Sequence, residues 1–256
     1  MNRKVIVVIP AAGLGTRMSP VMRGESPGTG KKSRASKQFT DLAGTPILVR
    51  TLRIFAGVPA VGEIYVSLRK DEIAGFRARL EKEGKEILKK KVELVEGGEH
   101  RQQSVANALA VVSAAKDDIV LVHDAVRPFV DAEIIHNVIE SAAAQGAAIA
   151  GLPAVDTIKQ VERTASGAIV TSTVPRERVV MAQTPQGFRY SVIKRAFDEA
   201  AQDGFIGTDE ASLVERSGHQ VAVVMGSARN IKITTPSDLE LAEFFFRHGD
   251  TEKAIG

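Results

Sequence analysis

Five β-branched residues in a row, Val5-Ile6-Val7-Val8-Ile9, run into Pro10-Ala11-Ala12-Gly13-Leu14-Gly15, and Arg17 follows. Such an apolar run reads as a buried strand. The small residues at its end let the backbone approach an anion closely, and Arg17 stands where a guanidinium can meet a phosphate. This is not a Walker A loop, because no Lys-Ser/Thr pair follows the glycines. Nor is it the dinucleotide fingerprint, because Met18 stands in place of a third glycine. What remains is a short loop whose N–H groups can hold phosphate oxygens, with Arg17 adding a bidentate contact. An ordinary tight turn with a solvated arginine is the plainer alternative.

Downstream, strand-like and helix-like stretches alternate. Glu63–Leu68, Val92–Glu96, Ile119–His123 and Ala147–Leu152 read as short strands. Val105, Ala108, Leu109 and Val112 share one helix face, and Ile134, Ile135, Val138 and Ile139 share another behind Asp131, an expected N-cap. A helix runs over Pro46–Phe55, and a last one starts at Ser237 after Pro236, with Ser237 and Glu240 as a capping box. The alternation predicts an α/β fold with a mostly parallel sheet covered on both faces, in one domain over residues 1–256. No internal repeat interrupts it.

Two stretches break the rhythm. Ser19–Ser36 is rich in Gly, Pro, Ser and basic residues, which predicts a mobile loop. Residues 153–186 hold short β-like pieces near Thr157–Val161, Ile169–Val174 and Val179–Gln183, which predict a protruding antiparallel β-arm. Exposed strand edges need cover. The same arm of a second subunit is the simplest cover, so a homodimer is expected.

Composition narrows the partners. The chain has no cysteine, hence no disulfide framework and no thiolate metal site. No apolar run reaches membrane-span length, and Met1-Asn2-Arg3-Lys4 leads into the first strand without a signal-peptide core. A cytoplasmic protein with no membrane partner is expected. Net charge is +3, yet residues 17–37 alone carry +5, from Arg17, Arg23, Lys31, Lys32, Arg34 and Lys37 against Glu25. The remainder is therefore at −2. Basicity so localised, with 5% aromatic residues, suits a small anionic ligand rather than nucleic acid.

Further candidates sit at strand ends. Asp124 and Arg127 follow the strand at Ile119, where ligands of open α/β sheets bind. A carboxylate there suits Mg²⁺, which takes one or two carboxylates and completes its shell with phosphates and water; a turn aspartate is the plainer reading. Arg127 would be drawn to an anionic substrate, and His123 reads as packed or hydrogen-bonded. Gly97-Gly98 permits close backbone approach, and Ser104, one turn into the next helix, could hydrogen-bond a base or ribose. Lys37 is a second phosphate cation or a surface lysine. Asn230–Thr234 reads as a strand with Ile231 and Ile233 on one face and Lys232, a third candidate cation, on the other. There is no Gly-x-Ser-x-Gly elbow, and the five histidines lack metal-ligand spacing. Chemistry that relies on charge neutralisation fits best, and phosphoryl or nucleotidyl transfer is of that kind.

Eight segments carry a resemblance when taken in order: Pro10–Met18 (P-A-A-G-x-G-x-R-M), Lys37–Phe39 (K-Q-F), Gly97–Val105 (G-G-x-x-R-x-x-S-V), His123–Pro128 (H-D-A-x-R-P), Asp156–Lys159 (D-T-I-K), Gln183–Phe188 (Q-T-P-Q-G-F), Thr208–Ser212 (T-D-E-A-S) and Asn230–Leu239 (N-I-K-I-T-x-P-x-D-L). From Val5 to about Phe246 the chain resembles the 2-C-methyl-D-erythritol 4-phosphate cytidylyltransferases of the non-mevalonate isoprenoid pathway. The resemblance implies a Rossmann-like three-layer fold, a homodimer made through the arm, and transfer of CMP from CTP to methylerythritol phosphate with Mg²⁺. By motif match, Arg17 and Lys37 would stabilise the transferring α-phosphate, and Lys232 and Arg176 would position the acceptor phosphate. Arg127, Thr157 and Thr184 would help bind the acceptor; Thr157, Arg176 and Thr184 are candidates to serve a partner subunit's site. Asp124 would hold Mg²⁺, while Ala11, Ala12, Gly13, Gly15, Gly98 and Ser104 would line the CTP site.

The Arg17-to-Lys37 gap is longer than the family's usual one. Lys37 is matched in preference to Lys31 and Lys32 because Gln38-Phe39 follow it. Arg229 stands where some relatives carry an acid, so no second metal carboxylate is expected there. Two alternatives share these features: a CDP-ribitol-type enzyme, and a non-catalytic nucleotide-binding regulator on the same fold.

Overall fold

The computed structural model describes residues 3–13, 36–165 and 167–248. In chain order come β1 (Val5–Pro10), β2 (Asp41–Leu42), β3 (Thr45–Pro46), α1 (Ile47–Gly57), β4 (Val61–Leu68), α2 (Lys70–Glu83), β5 (Lys91–Glu96), α3 (Arg101–Val111), β6 (Ile119–Val122), α4 (Ala132–Gln145), β7 (Ala147–Pro153), β8 (Ile158–Thr164), β9 (Gly167–Val174), β10 (Val180–Arg189), α5 (Tyr190–Gln202), α6 (Glu210–Arg216), β11 (Ala222–Met225) and α7 (Pro236–His248). Among the described residues, seven strands form one sheet in the order β11-β7-β10-β6-β1-β4-β5. β1 pairs in parallel with β4 and β6, β4 with β5, and β7 with β11. β10 runs antiparallel to both its neighbours.

The β-branched run explains the layering. Alternate side chains of a strand face opposite sides, and here both sides are core. Val5, Val7 and Ile9 pack with Leu48, Leu52 and Phe55 of α1 and with Ile135 and Val138 of α4. Ile6 and Val8 pack with Val105 and Leu109 of α3 and with Ile193 and Phe197 of α5. Each such burial contributes about 1.5–3 kcal/mol, so neither parity of β1 tolerates a polar residue. Helices on both faces of a mostly parallel sheet give the three-layer, Rossmann-like architecture. Among the described residues no helix is long and apolar enough to cross a membrane.

Local chemistry sets the helix starts. Asp131 caps α4 as expected, its Oδ1 accepting from Ile134 N at 2.8 Å. The box at α7 is shifted from the expected Ser237–Glu240 pair. Thr235 is the N-cap, its Oγ1 accepting from Asp238 N at 3.2 Å, while Asp238 Oδ2 accepts from Thr235 N at 2.8 Å. Pro236 then occupies the first helical position, where its missing N–H is harmless. The Ser237 reading placed the proline outside the helix and so moved the box two residues on.

Two other expectations need correction. Among the pieces assigned to the arm, β8 and β9 do form a separate antiparallel hairpin. The third, near Val179–Gln183, opens β10, a central strand of the main sheet whose Phe188 is fully buried. And Asn230–Thr234 is not a strand. It is an extended segment held by single bonds, such as Ile233 N donating to Val126 O at 2.9 Å.

Candidate active site

The chain leaves the carboxyl end of β1 toward β4 and leaves the carboxyl end of the neighbouring β6 toward β7, on the other side of the sheet, so the two connections diverge and open a crevice between them. The crevice is lined by Ala11–Gly13 after β1, by Lys37 and Gln38, by Gly98–Arg101 and Ser104 after β5, by Asp124–Val126 after β6, and by Lys232. Gly97 lets the loops after β1 and β5 approach, because a Cβ there would collide with the Ala12 Cβ and crowd Ser104 Oγ. The Ser104 hydroxyl is engaged within its loop, accepting from Gly98 N and donating to His100 O, both at 3.1 Å.

Asp124 is the electrostatic hub. Its carboxylate, 8% exposed, meets Lys232 Nζ at 2.9 Å, Arg101 Nε at 3.1 Å and Arg127 Nε at 3.3 Å. Burial works to raise the Asp124 carboxyl, but these three cations outweigh it and hold the group well below the usual carboxylate range. Arg101, at the start of α3, also forks onto Glu210 at 2.6 and 2.8 Å. Glu210 opens α6 behind the N-cap Asp209 and is 1% exposed. Burial pushes the Glu210 carboxyl up, and Arg101 acts against that rise. Burial likewise works to lower the Arg101 guanidinium, and the two carboxylates raise it beyond its ordinary value.

Behind Asp124 runs a chain of oriented hydrogen bonds. Asp124 N donates to Thr184 Oγ1 at 3.0 Å, Thr184 Oγ1 lies 3.2 Å from His123 Nδ1, and His123 Nε2 lies 3.1 Å from Arg127 O. A carbonyl only accepts, so Nε2 carries the proton and Nδ1 accepts from the Thr184 hydroxyl. Burial drops the His123 imidazole to about 4, keeping it neutral, and its ring packs edge-on to Phe55. The expected reading of His123 as packed and hydrogen-bonded agrees with this placement.

Of the expected site residues, Ala11, Ala12, Gly13, Lys37, Gly98, Ser104, Asp124 and Lys232 line the crevice together. Lys232 arrives there without a strand: Ile231 and Ile233 turn into a small cluster with Leu42, Ile47 and Val126, which leaves the lysine facing Asp124. Arg127 and Thr184 sit beneath the crevice; the Arg127 Nη1 donates to Asn230 O at 2.6 Å. Thr157 and Arg176 are exposed near the ends of the β8–β9 hairpin, with Arg176 Nη1 donating to Val155 O at 2.7 Å, and neither lines this chain's crevice. Gly15, Arg17, Lys31, Lys32 and all of the Ser19–Ser36 loop except Ser36 lie outside the described residues. Sequence reading assigned no role to Gln38, Arg101, Glu210 or the buried Asn230, although all four stand inside quoted motifs.

A mostly parallel α/β sheet with a cation-lined crevice at its carboxyl edge defines an enzyme class that handles phosphorylated ligands. Comparison with known proteins narrows the class. The family model for 2-C-methyl-D-erythritol 4-phosphate cytidylyltransferase matches residues 5–248, and the chain belongs to that family. A protein of that name from Acidobacterium capsulatum is 55% identical over 244 residues, which cover 95% of this chain and 98% of the relative. One from Solibacter usitatus is 52% identical, over 95% of this chain and 96% of the relative. The crystal structure of 4-diphosphocytidyl-2C-methyl-D-erythritol synthase from Anaerococcus prevotii matches with a TM-score of 0.78 at 26% identity, covering 96% of this chain and 100% of that one.

Proposed function

We infer that this protein transfers CMP from CTP to 2-C-methyl-D-erythritol 4-phosphate, giving 4-diphosphocytidyl-2-C-methyl-D-erythritol and pyrophosphate for isoprenoid precursor synthesis. Beyond family membership, the observation that carries the reading is the convergence of Lys37 and Lys232 on the small-residue loop Ala11–Gly13 beside Asp124. An oxygen of the acceptor phosphate attacks the α-phosphorus of CTP, and the bond to the bridging oxygen of pyrophosphate breaks. The acceptor is already ionised at neutral pH, so no general base is needed. The barrier lies in bringing two anions together. A cation about 4 Å away is worth roughly 4 kcal/mol at an effective dielectric of 20.

The residues divide that task. Lys37, with Arg17, stabilises the α-phosphate as charge builds on it; Lys232 holds the acceptor phosphate, and Arg176, carried on the β8–β9 arm, serves the acceptor phosphate in a second subunit's site. Arg127, Thr157 and Thr184 support acceptor binding, and Ala11, Ala12, Gly13, Gly15, Gly98 and Ser104 form the nucleotide cradle. Asp124, a hard oxygen donor at the strand end, suits Mg²⁺. Three cations within 3.3 Å make it unattractive to a bare dication, so it would hold the ion only together with nucleotide phosphates. When bound, Mg²⁺ supplies further neutralisation of phosphate charge. The protein acts as one nucleotidyltransferase domain, cytoplasmic, dimerising through the β8–β9 arm.

The test is pyrophosphate release by purified protein with CTP, Mg²⁺ and methylerythritol phosphate. Release that chelation abolishes and added Mg²⁺ restores supports the reading. Release with ribitol phosphate but not with methylerythritol phosphate points to the CDP-ribitol reaction. CTP binding with no turnover on either acceptor points to a non-catalytic regulator.

A further inference from the structure

The anchoring of Lys37 involves a residue with no assigned role. Lys37 opens a single 3-10 turn, Lys37–Phe39, closed by Phe39 N donating to Ser36 O at 2.9 Å and Thr40 N donating to Lys37 O at 3.1 Å. The residues on either side of the lysine are both buried: Ser36 is 1% exposed and Gln38 is 2% exposed. Ser36 Oγ donates to Glu72 of α2 at 2.6 Å, and the Phe39 ring rests on Phe76 of the same helix. One side of the turn is thereby tied to α2. Gln38 reaches the opposite way, and its Nε2 donates to the carbonyl of Ala11. Ala11 is fixed in its turn by its own N–H, which donates to Ser67 O at 2.7 Å.

A buried amide carries a desolvation penalty that an apolar side chain of similar volume avoids. The amide of Gln38 adds one thing an apolar residue cannot, a donor aimed at the loop after β1. That bond joins the segment bearing Lys37 to the segment proposed to cradle the phosphates, 27 residues earlier in the chain. We propose that Gln38 is a positioning residue for cytidylyl transfer: its bond to Ala11 fixes the Lys37 turn against the phosphate loop and so sets where the ammonium meets the reacting phosphate. This rests on the reading of Lys37 as the cation that stabilises that phosphate. Lysine has a long, flexible stem, so its rate contribution depends on how firmly its backbone is placed; small misplacements cost about 10²-fold in oriented reactions.

A double-mutant cycle on the full-length enzyme separates positioning from mere core filling. Wild type, Gln38→Met, Lys37→Ala and the double variant are assayed for pyrophosphate release at saturating CTP and acceptor with Mg²⁺, alongside thermal melts. Gln38→Met, which keeps the volume and removes the donor, is expected to lower kcat roughly 10- to 100-fold while the KM for CTP stays within about threefold. Lys37→Ala alone lowers kcat about 10²–10³-fold. In the Lys37→Ala background, Gln38→Met costs less than about twofold, because no ammonium is left to place. Should Gln38→Met melt too low to assay, Gln38→Leu replaces it in the cycle, being uncharged and without a donor. Wild-type kcat in the Gln38 variant, or its full penalty persisting without Lys37, overturns the proposal. Wild-type kcat in Lys37→Ala overturns the underlying reading of the lysine instead, and that result is read from the single variant alone.

Discussion

Replacing Arg101 by methionine keeps the side chain's stem and deletes the guanidinium that joins two carboxylates. Three contacts go: two to Glu210, at 2.6 and 2.8 Å, and one to Asp124, at 3.1 Å. Asp124 keeps Arg127 and Lys232, but Glu210, 1% exposed, is left without its cation. Breaking one side of a buried pair costs about 3–5 kcal/mol. The Arg101 side chain is itself 30% exposed, so water reaches the vacated place and the loss belongs at the lower end, about 3 kcal/mol. For a chain of this length that is a fall in Tm of roughly 6–12 °C. The pH dependence is the sharper readout. Burial already pushes the Glu210 carboxyl up, and without Arg101 nothing comparable opposes it. The folded variant then binds that proton more tightly than the unfolded chain, so stability falls as pH rises above the unfolded carboxylate value, about 4.3. Melts from about pH 5 to about pH 8 should show the deficit against wild type smallest in acid and widening upward. Adding Glu210→Leu, which removes the stranded carboxylate, should recover most of the loss. A deficit under about 1 kcal/mol, a deficit that does not change with pH, or no recovery with Glu210→Leu would refute the account of this pair as a desolvated, mutually dependent unit.

Further outcomes follow from the same geometry. Lys31→Ala and Lys32→Ala should leave turnover near wild type while Lys37→Ala lowers it about 10²–10³-fold; equal losses in a steady-state assay would show that the role proposed for Lys37 across the long loop is wrong. If the arm serves a second subunit's site, mixing Arg176→Ala with Lys37→Ala should restore part of the activity through hybrid dimers, and a dead mixture with subunit exchange verified by mass spectrometry would place each site within one chain. Asp238→Ala should destabilise the protein by about 1 kcal/mol through loss of the α7 cap. Burial works to raise the Asp238 carboxyl, but the Thr234 and Thr235 donors outweigh it and lower it. Its contribution is therefore present above the unfolded carboxylate value and lost as pH falls through the lower folded one. Melts should show the gap between wild type and variant closing in acid.

What the sequence made legible were features that repeat locally. The Val5–Ile9 run is buried on both faces because a parallel sheet needs exactly such a strand, and the Asp131 cap is written within four residues. What escaped it depends on partners far along the chain. Glu210 reads as one more acid at a helix start until Arg101, 109 residues away, is seen to hold it, and Gln38 reads as a polar neighbour of Lys37 until Ala11 is seen across from it. Lys232 is the instructive mixed case. Alternation of Ile231, Lys232 and Ile233 gave the right side-chain directions but the wrong element. Alternation reports only that a backbone is extended with one side buried, and a strand also needs a ladder of neighbouring bonds. Here the buried side is the Leu42–Ile47–Val126 cluster, and among the described residues isolated bonds, such as that from Ile233 to Val126, stand where a ladder would be. The consequence is functional as well as formal. A lysine on a central strand would be held by the sheet, whereas Lys232 is placed by two isoleucines packed beneath it and by the pull of Asp124. Shortening either isoleucine to alanine should therefore move the lysine and weaken acceptor binding, seen as a raised KM for the acceptor with a smaller change in the KM for CTP. Equal changes in both would show that the segment supports the crevice as a whole and does not aim this one cation.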